Sequence, residues 1–492
     1  MCPYLTIDIG TSSTKASLID EHGLLIASRT SGYDTHYPLP GWAEQDPHDW
    51  WVATQAVCKA LFQEVRNPSI NSVCLSGQVP SCVPVDRAGA PLRPAILWLD
   101  RRAQPQVDQI RARFGPESDD QPGGNRIDSY LGGYKWFWFR QNQPELYQQT
   151  WKILQANSYV MYHLTGEIAI DPSHAGLCTP CFNLMTRQWD EKVLDWMDLD
   201  VDKLPPVHPS PEIIGNITSQ ASESTGIPVG TPVVCGGGDF ALSCLGAGVV
   251  KSGSAALMLG TAGNLLVPAP SHTDPRMVHT VYFTGDLLTL GACMAGGAVQ
   301  WFGDMLSIQQ SDLYASLDEE AAQVPAGSEG LVFLPYLLGE RTPVWDPNAR
   351  GVFMGLYANH RRGHLFRAVL ESVAFSFRQM QQIYAENGTT IHEIIAINGG
   401  ARSPLWRQIL ADILEVPIRW RSGSSGTSIG AAFLCAMGVQ DARNYAEIDT
   451  WLSPTVDVYP NPANHAVYRD RFLIYNQLYD RLKDLFPLLT DR

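Results

Sequence analysis

The chain has 492 residues, of which 45% are hydrophobic and 17% charged, and its formal net charge is -15. This length exceeds the usual limit for a single hydrophobic core, so we expect two domains. The negative charge opposes binding to nucleic acids and to anionic lipid surfaces, and neither is expected as a partner. Any phosphate ligand must therefore be held by local groups, such as backbone N–H groups and a bound cation.

Nothing in the sequence indicates export or membrane insertion. The N-terminus continues directly into the apolar run 4–7 without a basic region, and no stretch of about 18 apolar residues follows later. We therefore expect a cytoplasmic protein. Of the ten cysteines, only Cys178 and Cys181 have metal or redox spacing, and no second Cys or His pair accompanies them. We expect buried thiols.

The first predicted elements are strands. Apolar runs over residues 4–9, 15–20 and 24–28 alternate with turn residues, which predicts a meander. A helix is expected to begin at Asp46 and Pro47, which offer an N-cap and a first-turn proline.

The first turn carries a possible phosphate site. Asp8 ends the first strand, and Thr11, Ser12 and Lys15 follow it. Backbone N–H groups and hydroxyls in such a turn can converge on phosphate oxygens, while Asp8 can hold Mg²⁺ directly or through water. An ordinary hairpin is the structural alternative, because turn residues are also selected for their conformation.

Strand runs separated by helices continue to residue 239, which predicts a mixed sheet covered by helices. A strand is expected over 70–75, and another over 233–235. Three glycines then precede Asp239, which we expect on an exposed and sterically open turn. There it can accept the proton of a substrate hydroxyl during phosphoryl transfer. A helix N-cap or an Asx-turn is the structural alternative for this residue.

After residue 250 a similar order of elements begins again, so the chain is expected to contain two related halves. A strand over 255–259, the turn Gly260-Thr261 and a further strand form a second candidate phosphate hairpin. A helix is expected over 364–378 from its apolar spacing. A strand over 394–397 then leads into Gly399 and Gly400 before another helix, which lets a nucleotide approach the backbone.

In chain order these elements resemble the FGGY carbohydrate kinases of the actin-like ATPase superfamily, over nearly the whole chain. The most specific stretch is 351–356, followed after seven residues by 364–371, and it matches the family's C-terminal signature. The runs 41–47, 338–343 and 399–403 are also family-like. The N-terminal signature at 130–135 departs from the family at Gly132, where Pro, Ser or Thr is usual.

This resemblance implies an α/β fold, the two-domain actin-like ATPase (ribonuclease H-like) fold, with mixed sheets flanked by helices and the active site in the interdomain cleft. Residues 1–248 would form an N-terminal domain that binds the sugar and carries the first phosphate hairpin. Residues 249–492 would form a C-terminal domain that binds the nucleotide. The implied cofactors are ATP and Mg²⁺, the implied partner is a small sugar or polyol, and a homodimer is left open.

The resemblance also implies roles for single residues. Asp239 is the expected catalytic base, and Asp8 and Asp239 are the expected metal ligands. The expected ATP contacts are Thr11, Ser12, Lys15, Gly260, Thr261, Gly399, Gly400 and Ser403. The expected substrate contacts are Gln78, Val79, Trp98, Asp239 and Phe240, although a tryptophan this close to an apolar run more often belongs to the core.

Within the family the chain is most similar to xylulose kinases, through the runs 76–78 and 93–98, so D-xylulose or a related pentulose is the first expectation. Val79-Pro80 replaces the Met-His of xylulose kinases and the Arg-Glu of glycerol kinases, and Phe240 stands where a polar residue is usual. Another sugar, polyol or sugar acid therefore stays open, as does a non-catalytic sugar sensor. An actin-like ATPase without a sugar substrate would not need Asp239 on an open turn.

Overall fold

The computed structural model describes residues 2–66, 68–115, 122–269, 274–306, 313–421 and 426–490. The chain forms two compact units. The first unit contains Met1–Val250, Pro270–Leu288 and Ser424–Leu452, and the second contains Lys251–Ala269, Thr289–Gly423 and Ser453–Arg492. Two later segments of the chain thus belong with its N-terminal part.

The strands up to residue 250 are β1 (Tyr4–Ile9), β2 (Ser13–Ile19), β3 (Leu25–Gly32), β4 (Glu44–Gln45), β5 (Val73–Gly77), β6 (Val83–Val85), β7 (Ala95–Ile96), β8 (Lys152–Leu154), β9 (Phe182–Asn183), β10 (Gln188–Trp189), β11 (Ile213–Asn216) and β12 (Pro232–Gly238). The later strands are β13 (Ser254–Leu259), β14 (Ala262–Ala269), β15 (Val278–Val281), β16 (Leu287–Met294), β17 (Val332–Leu334), β18 (Val352–Met354), β19 (Glu393–Ile397), β20 (Ile418–Trp420) and β21 (Val456–Val458).

The helices are α1 (Pro47–Val65), α2 (Gln104–Phe114), α3 (Gly132–Asn142), α4 (Pro144–Gln149), α5 (Ala156–Thr165), α6 (Pro172–Gly176), α7 (Glu191–Met197), α8 (Ser219–Thr225), α9 (Asp239–Gly246), α10 (Gly296–Met305), α11 (Leu313–Ala322), α12 (Arg362–Glu386), α13 (Pro404–Leu414), α14 (Gly426–Gly438), α15 (Pro462–Leu482) and α16 (Pro487–Thr490). Short 3-10 helices cover Pro122–Gly124, Val201–Lys203, Ser328–Gly330, Gly399–Arg402 and Tyr445–Trp451.

The first unit contains a six-stranded sheet in the order β11, β12, β5, β1, β2, β3. The strands β1, β2 and β3 pair antiparallel, which confirms the predicted meander. The strand β1 pairs parallel with β5, and β5 pairs parallel with β12. Because parallel strands end at the same edge of a sheet, the residues that follow β1, β5 and β12 come together at one edge.

Helices cover both faces of this sheet, as the sequence predicts. The helix α1 begins where expected: Pro47 is its first residue, and Asp46 caps it by accepting a hydrogen bond of 2.9 Å from the N–H of His48. Its buried residues Val57 and Leu61 join the core on one face, together with α5. On the other face, α9 and α14 pack against the sheet.

In the second unit, strands β16, β14, β13, β19, β20 and β21 lie in this order. The strands β13 and β14 form an antiparallel hairpin, β13 pairs parallel with β19, and β19 pairs parallel with β20. The edge strand β21 is antiparallel to its neighbour, as β11 is in the first unit. Each sheet is therefore built on the same plan, which confirms the two related halves. The predicted helix over 364–378 lies within α12, toward its N-terminal end.

The prediction of an open glycine turn before Asp239 is wrong. The strand β12 continues to Gly238, and α9 begins at Asp239 itself, whose side chain is half-buried. At Gly236 the backbone has φ +80°, and the pairing of β12 with β5 shifts there. A side chain at Gly236 would meet the carbonyl oxygen of Leu75 at 2.0 Å. The glycine therefore permits a β-bulge inside the sheet.

All ten cysteines are free, and every one except Cys2 is buried. Cys178 and Cys181 belong to the buried group, and burial raises the pKa of both thiols. The expectation of buried thiols is thus confirmed for these two residues. Among the helices in the described ranges, none combines the length and the apolar character that crossing a bilayer requires.

The helices α9 and α14 touch through their backbones, because glycines stand where they meet. A Cβ atom at Gly246 would lie 1.8 Å from the carbonyl oxygen of Gly426. A Cβ atom at Gly430 would lie 2.1 Å from the carbonyl oxygen of Leu242. Backbone atoms cannot move aside as a flexible side chain can, so any larger residue must separate the helices.

We expect Gly430→Ala to lower the free energy of unfolding of the first unit by about 2 kcal/mol, because overlap with the Leu242 carbonyl outweighs the helix propensity that alanine gains. Urea unfolding followed by tryptophan fluorescence measures this change. The matched control is Gly32→Ala, since a Cβ atom there lies 3.6 Å from its nearest neighbour, an ordinary contact. Equal stability of the Gly430→Ala variant and the parent would contradict the backbone contact.

Candidate active site

Two carboxylates lie at the edge of the first sheet where β1, β5 and β12 end. Asp8 on β1 stands opposite Lys15 on β2 and opposite Ser76 on β5. The hydroxyl of Ser76 donates a hydrogen bond to Asp8 Oδ1. Burial raises the pKa of Asp8, while this hydrogen bond and the charge of Lys15 act in the opposite direction.

Asp239 is the second carboxylate, and the register places it beside the first. Gly238, the residue before it, pairs with Gly77, which in turn pairs with Ile9. Asp239 Oδ1 accepts a hydrogen bond of 2.7 Å from the N–H of Phe240. Burial and the negative charge of Asp8 raise the pKa of Asp239 to about 7, although the Phe240 N–H and His174 lower it. A carboxyl group in this range can take up a proton near neutral pH.

The two carboxylates together fit a magnesium ion. The negative charge of Asp8 destabilises the charged form of Asp239, and a cation would relieve this repulsion. In the described parts of the chain, no three His, Cys, Asp or Glu side chains are grouped to hold a metal. Mg²⁺ does not need such a cage, because it usually binds one or two carboxylates and takes its other ligands from water and phosphate.

The first hairpin, which is the candidate phosphate site of the first unit, is held by residues from outside it. The indole N–H of Trp98 donates to Thr11 Oγ1 at 3.0 Å, and Gln45 Nε2 donates to the Thr11 carbonyl oxygen at 2.6 Å. Ser12 at the tip is exposed, and Lys15 is half-buried. The indole of Trp98 is half-buried as well, so it is not simply a core residue.

Three further predicted substrate residues lie beside the strand end that precedes Asp239, and none of them is charged. We call Gln78, Val79 and Phe240 the neutral wall. A Cβ atom at Gly238 would lie 2.9 Å from the ring of Phe240 and 3.4 Å from Val79 Cγ1, so both side chains pack against the strand end. Gln78 is buried, and its Nε2 donates to Gln45 Oε1 at 2.9 Å. Its Oε1 has no hydrogen-bond partner among the residues that the structure describes.

Sequence reasoning did not single out Gln45, although it lies in the family-like run 41–47. Its side chain joins the phosphate hairpin to Gln78 and accepts a hydrogen bond of 2.9 Å from the indole of Trp50. Ser76 was likewise visible only as part of the run 76–78. The family-like runs 41–47 and 76–78 therefore include both residues, but no local pattern in the sequence indicates which side chains Gln45 and Ser76 contact.

A second group that sequence reasoning missed lies at the start of α6. Ser173 Oγ accepts a hydrogen bond of 2.9 Å from the N–H of Gly238 and donates to Asp171 Oδ1. His174 Nδ1 lies 2.5 Å from Asp171 Oδ2. Burial raises the pKa of Asp171, but the charge of His174 and these hydrogen bonds together bring it below its ordinary value. The only local signal was the Asp171-Pro172 pair, which is typical of a helix start.

In the second unit, the turn Gly260-Thr261 joins β13 to β14. The N–H groups of Gly296 and Gly297, at the start of α10, donate to the carbonyl oxygens of Gly260 and Thr261 at 2.8 and 2.9 Å. Thr261 is exposed. The start of α10 thus fixes the carbonyl groups of the turn, while the side chain of Thr261 is exposed to solvent.

The glycine-rich segment after β19 lies beside this turn, because β13 and β19 are parallel neighbours. A Cβ atom at Gly400 would lie 2.9 Å from Leu259 Cβ, so the segment approaches the strand closely. Asn398 has φ 72° and ψ -175°, a conformation that is otherwise nearly confined to glycine. Such strain is concentrated at ligand sites. Ser403 caps α13 by accepting a hydrogen bond of 3.0 Å from the N–H of Trp406.

This chain matches two family models. The N-terminal domain of the FGGY family of carbohydrate kinases matches residues 3–246, and the C-terminal domain of that family matches residues 255–439. A xylulose kinase of Staphylococcus xylosus is 30% identical over 98% of this chain and 100% of the relative. A gluconokinase of Bacillus subtilis (strain 168) is 27% identical over 99% of this chain and 97% of the relative. The crystal structure of xylulose kinase from Rhodospirillum rubrum has a TM-score of 0.91 at 32% identity, covering 98% of this chain and 99% of that one.

We expect Asp239→Asn to stabilise the protein more at about pH 8 than at about pH 5. The pKa of Asp239 rises on folding from 3.8 to about 7, so the folded protein keeps a proton that the unfolded chain releases. The stability of the parent therefore falls as the pH rises through this window, whereas an amide does not titrate. Urea unfolding at both pH values should give a difference of about 2 kcal/mol in the effect of the substitution.

The matched control is Asp108→Asn on α2, whose carboxylate is largely exposed, with a relative side-chain exposure of 66%. It should change stability equally at both pH values. An Asp239→Asn effect that is the same at both pH values would show that the pKa of Asp239 is not raised.

Proposed function

Because this chain belongs to the FGGY family of carbohydrate kinases, we propose that it transfers the γ-phosphate of ATP to a hydroxyl of D-xylulose or a related pentulose, with Asp239 as the base. Family membership confirms the expected carbohydrate kinase activity and the α/β fold of the actin-like ATPases. Sugar kinases of this family take ATP as the phosphate donor. The expected cytoplasmic location stays a prediction.

One observation supports the role of Asp239 above the others. Its pKa is raised to about 7 by burial and by Asp8, at the edge of the sheet where three parallel strands end. Ligands bind at this edge in open α/β sheets. A base must hold no proton before transfer and take one up during it, which a pKa near neutrality allows.

The neutral wall beside Asp239 favours an uncharged sugar. Gln78, Val79 and Phe240 carry no charge, so the carboxylate of a sugar acid would gain no ionic partner from them. These side chains are only 1%, 5% and 8% exposed, so a ketose or polyol would contact no more than their edges. The xylulose kinase relatives support a pentulose, and the gluconokinase relative makes a sugar acid the second candidate.

In the proposed reaction, Asp239 accepts the proton of the acceptor hydroxyl while that oxygen bonds to the γ-phosphorus. The bond from the γ-phosphorus to the bridging oxygen breaks, and ADP leaves with that oxygen. Thr11 and Lys15 would contact the transferred phosphate. Asp8 and Asp239 would hold Mg²⁺, which neutralises phosphate charge when it is bound.

The second unit is proposed to hold the nucleotide. Thr261 offers an exposed hydroxyl on a rigid turn, and Gly399 leaves open space, since no atom lies within 4 Å of its ideal Cβ position. Phosphate oxygens can then approach the backbone N–H groups without a side chain in the way. The hydroxyl of Ser403 already serves the helix cap, so it contributes least to this proposal.

We expect D-xylulose to stimulate ADP release when the purified protein is given ATP, Mg²⁺ and a panel of pentuloses, gluconate and glycerol. Asp239→Asn should lower kcat by about 10³-fold, since it removes the proton acceptor. In the parent, kcat/KM should fall as the pH drops below about 7, because a protonated Asp239 cannot accept the proton. A coupled ADP-release assay measures the stimulation by each sugar, the kcat of the variant and the pH dependence of kcat/KM.

The control is Asp108→Asn, which should keep full activity. If only gluconate stimulates ADP release, the substrate is a sugar acid and not a pentulose. No stimulation by any sugar, from protein whose unfolding is cooperative, would contradict the kinase proposal.

Thr261→Val tests the nucleotide site, because valine keeps the shape of threonine and lacks the hydroxyl. We expect the KM for ATP to rise about tenfold with kcat within about twofold of the parent, as for a contact made equally in the ground and transition states. Steady-state kinetics at saturating sugar measure both. Thr390→Val, at an exposed threonine of the same unit, is the matched control. An unchanged KM would remove Thr261 from the ATP site.

A further inference from the structure

The residues before and within α6 are joined to the strand end that precedes Asp239. Ser173 Oγ accepts a hydrogen bond of 2.9 Å from the N–H of Gly238. Gly238 is the N-cap of α9, and Asp239 is the first residue of that helix. This hydrogen bond therefore holds the Gly237–Gly238 peptide, at the strand end from which α9 and Asp239 begin.

Ser173 is itself held on several sides. Its hydroxyl donates to Asp171 Oδ1, and that oxygen also accepts the N–H groups of Ser173 and His174 at 2.9 and 3.1 Å. Its carbonyl oxygen accepts a hydrogen bond of 2.7 Å from Thr280 Oγ1. A carboxylate that accepts several hydrogen bonds is fixed in place. Asp171 therefore holds the hydroxyl of Ser173 in the position where it binds the N–H of Gly238.

His174 is the second side chain that Asp171 holds. The ring is completely buried, and its Nδ1–H donates to Asp171 Oδ2 at 2.5 Å. Its Nε2 has no hydrogen-bond partner in the described part of the chain. An unpaired buried polar atom destabilises the folded state, so its retention calls for an explanation. His174 directly follows the serine that binds the N–H of Gly238, and α6 packs against β12, so the ring lies near the strand end that precedes Asp239.

We propose that Asp171, Ser173 and His174 form a positioning segment for Asp239: Ser173 holds the strand end that precedes it, and the unpaired Nε2 of His174 serves as a hydrogen-bonding group for its carboxyl group. This inference rests on the proposed role of Asp239 as the base. The three residues are positioning residues, since none needs to touch the sugar or the ATP. Displacing a reacting group by about 1 Å can lower a rate about 100-fold, which is the scale of effect that such a segment controls.

Two substitutions of His174 distinguish the roles of its two ring nitrogens, Nδ1 and Nε2. The amide nitrogen of asparagine occupies the place of Nδ1, whereas that of glutamine reaches the place of Nε2. We expect His174→Gln to keep kcat within about fivefold of the parent and His174→Asn to lower it about 10- to 100-fold, although His174→Asn retains the partner of Asp171. The KM for ATP should stay within about twofold in both.

Ser173→Ala tests the link to Gly238, and Ser158→Ala is its matched control. Ser158 is also a fully buried serine of the first unit, and its hydroxyl donates to the Ala169 carbonyl oxygen at 2.7 Å. Both variants should lose similar thermal stability. Only Ser173→Ala should lower kcat, by about 10- to 100-fold, with an unchanged KM for ATP. Equal kcat values in the two variants would overturn the role of Ser173.

A thermal double-mutant cycle tests the contact with Asp239 without any substrate. The shifts in Tm from His174→Asn and Asp239→Asn should fail to add by about 2 °C or more if the side chains interact. Additive shifts together with a normal kcat in His174→Asn would overturn the inference, even where Asp239→Asn is inactive. If no sugar is turned over, the kinase proposal fails, and additivity or non-additivity of the cycle still decides whether His174 positions Asp239.

Discussion

The parallel pairing of β1, β5 and β12 is the constraint on which the candidate active site depends. The register pairs Ile9 with Gly77 and Gly77 with Gly238, so the chain leaves all three strands at one edge of the sheet. Asp8 precedes that edge by one residue, and Asp239 follows it by one. The pairing therefore forces two carboxylates into the same partly buried region, and their repulsion contributes to the raised pKa of Asp239.

Packing, and not electrostatics, keeps Asp239 in this place. A carboxyl group whose pKa rises on folding destabilises the folded state at neutral pH, so other contacts must hold α9, the helix that begins with it. The backbone contact of α9 with α14 through Gly246 and Gly430 is one such contact. The bulge at Gly236 also contributes, because it determines where the end of β12, from which α9 starts, lies relative to β5. A group that destabilises the folded state, held in place by the surrounding packing, is typical of a functional site.

Much of the fold follows from local patterns in the sequence, and the remainder depends on contacts between distant residues. Alternating apolar runs and turn residues predict β1 to β3, and Asp46-Pro47 predicts the start of α1. The glycines before Asp239 predict a turn, because periodicity cannot distinguish a bulged strand from a turn. The hydrogen bond from Gly238 to Ser173 joins residues 65 positions apart, and no local pattern contains it. The same holds for the partners of Gln45.

The two units share a sheet plan but differ at the position that decides their chemistry. Ile7-Asp8-Ile9-Gly10-Thr11 in the first unit corresponds to Leu257-Met258-Leu259-Gly260-Thr261 in the second, each ending a first strand and opening a hairpin. Asp8 is thus replaced by a methionine, which cannot bind Mg²⁺ well or repel a neighbouring carboxylate. The turn of the second unit retains its threonine and its backbone groups. The hairpin of the first unit can therefore supply a carboxylate for Mg²⁺ beside Asp239, whereas the hairpin of the second unit offers only uncharged groups to a phosphate, which is the division of roles that we propose.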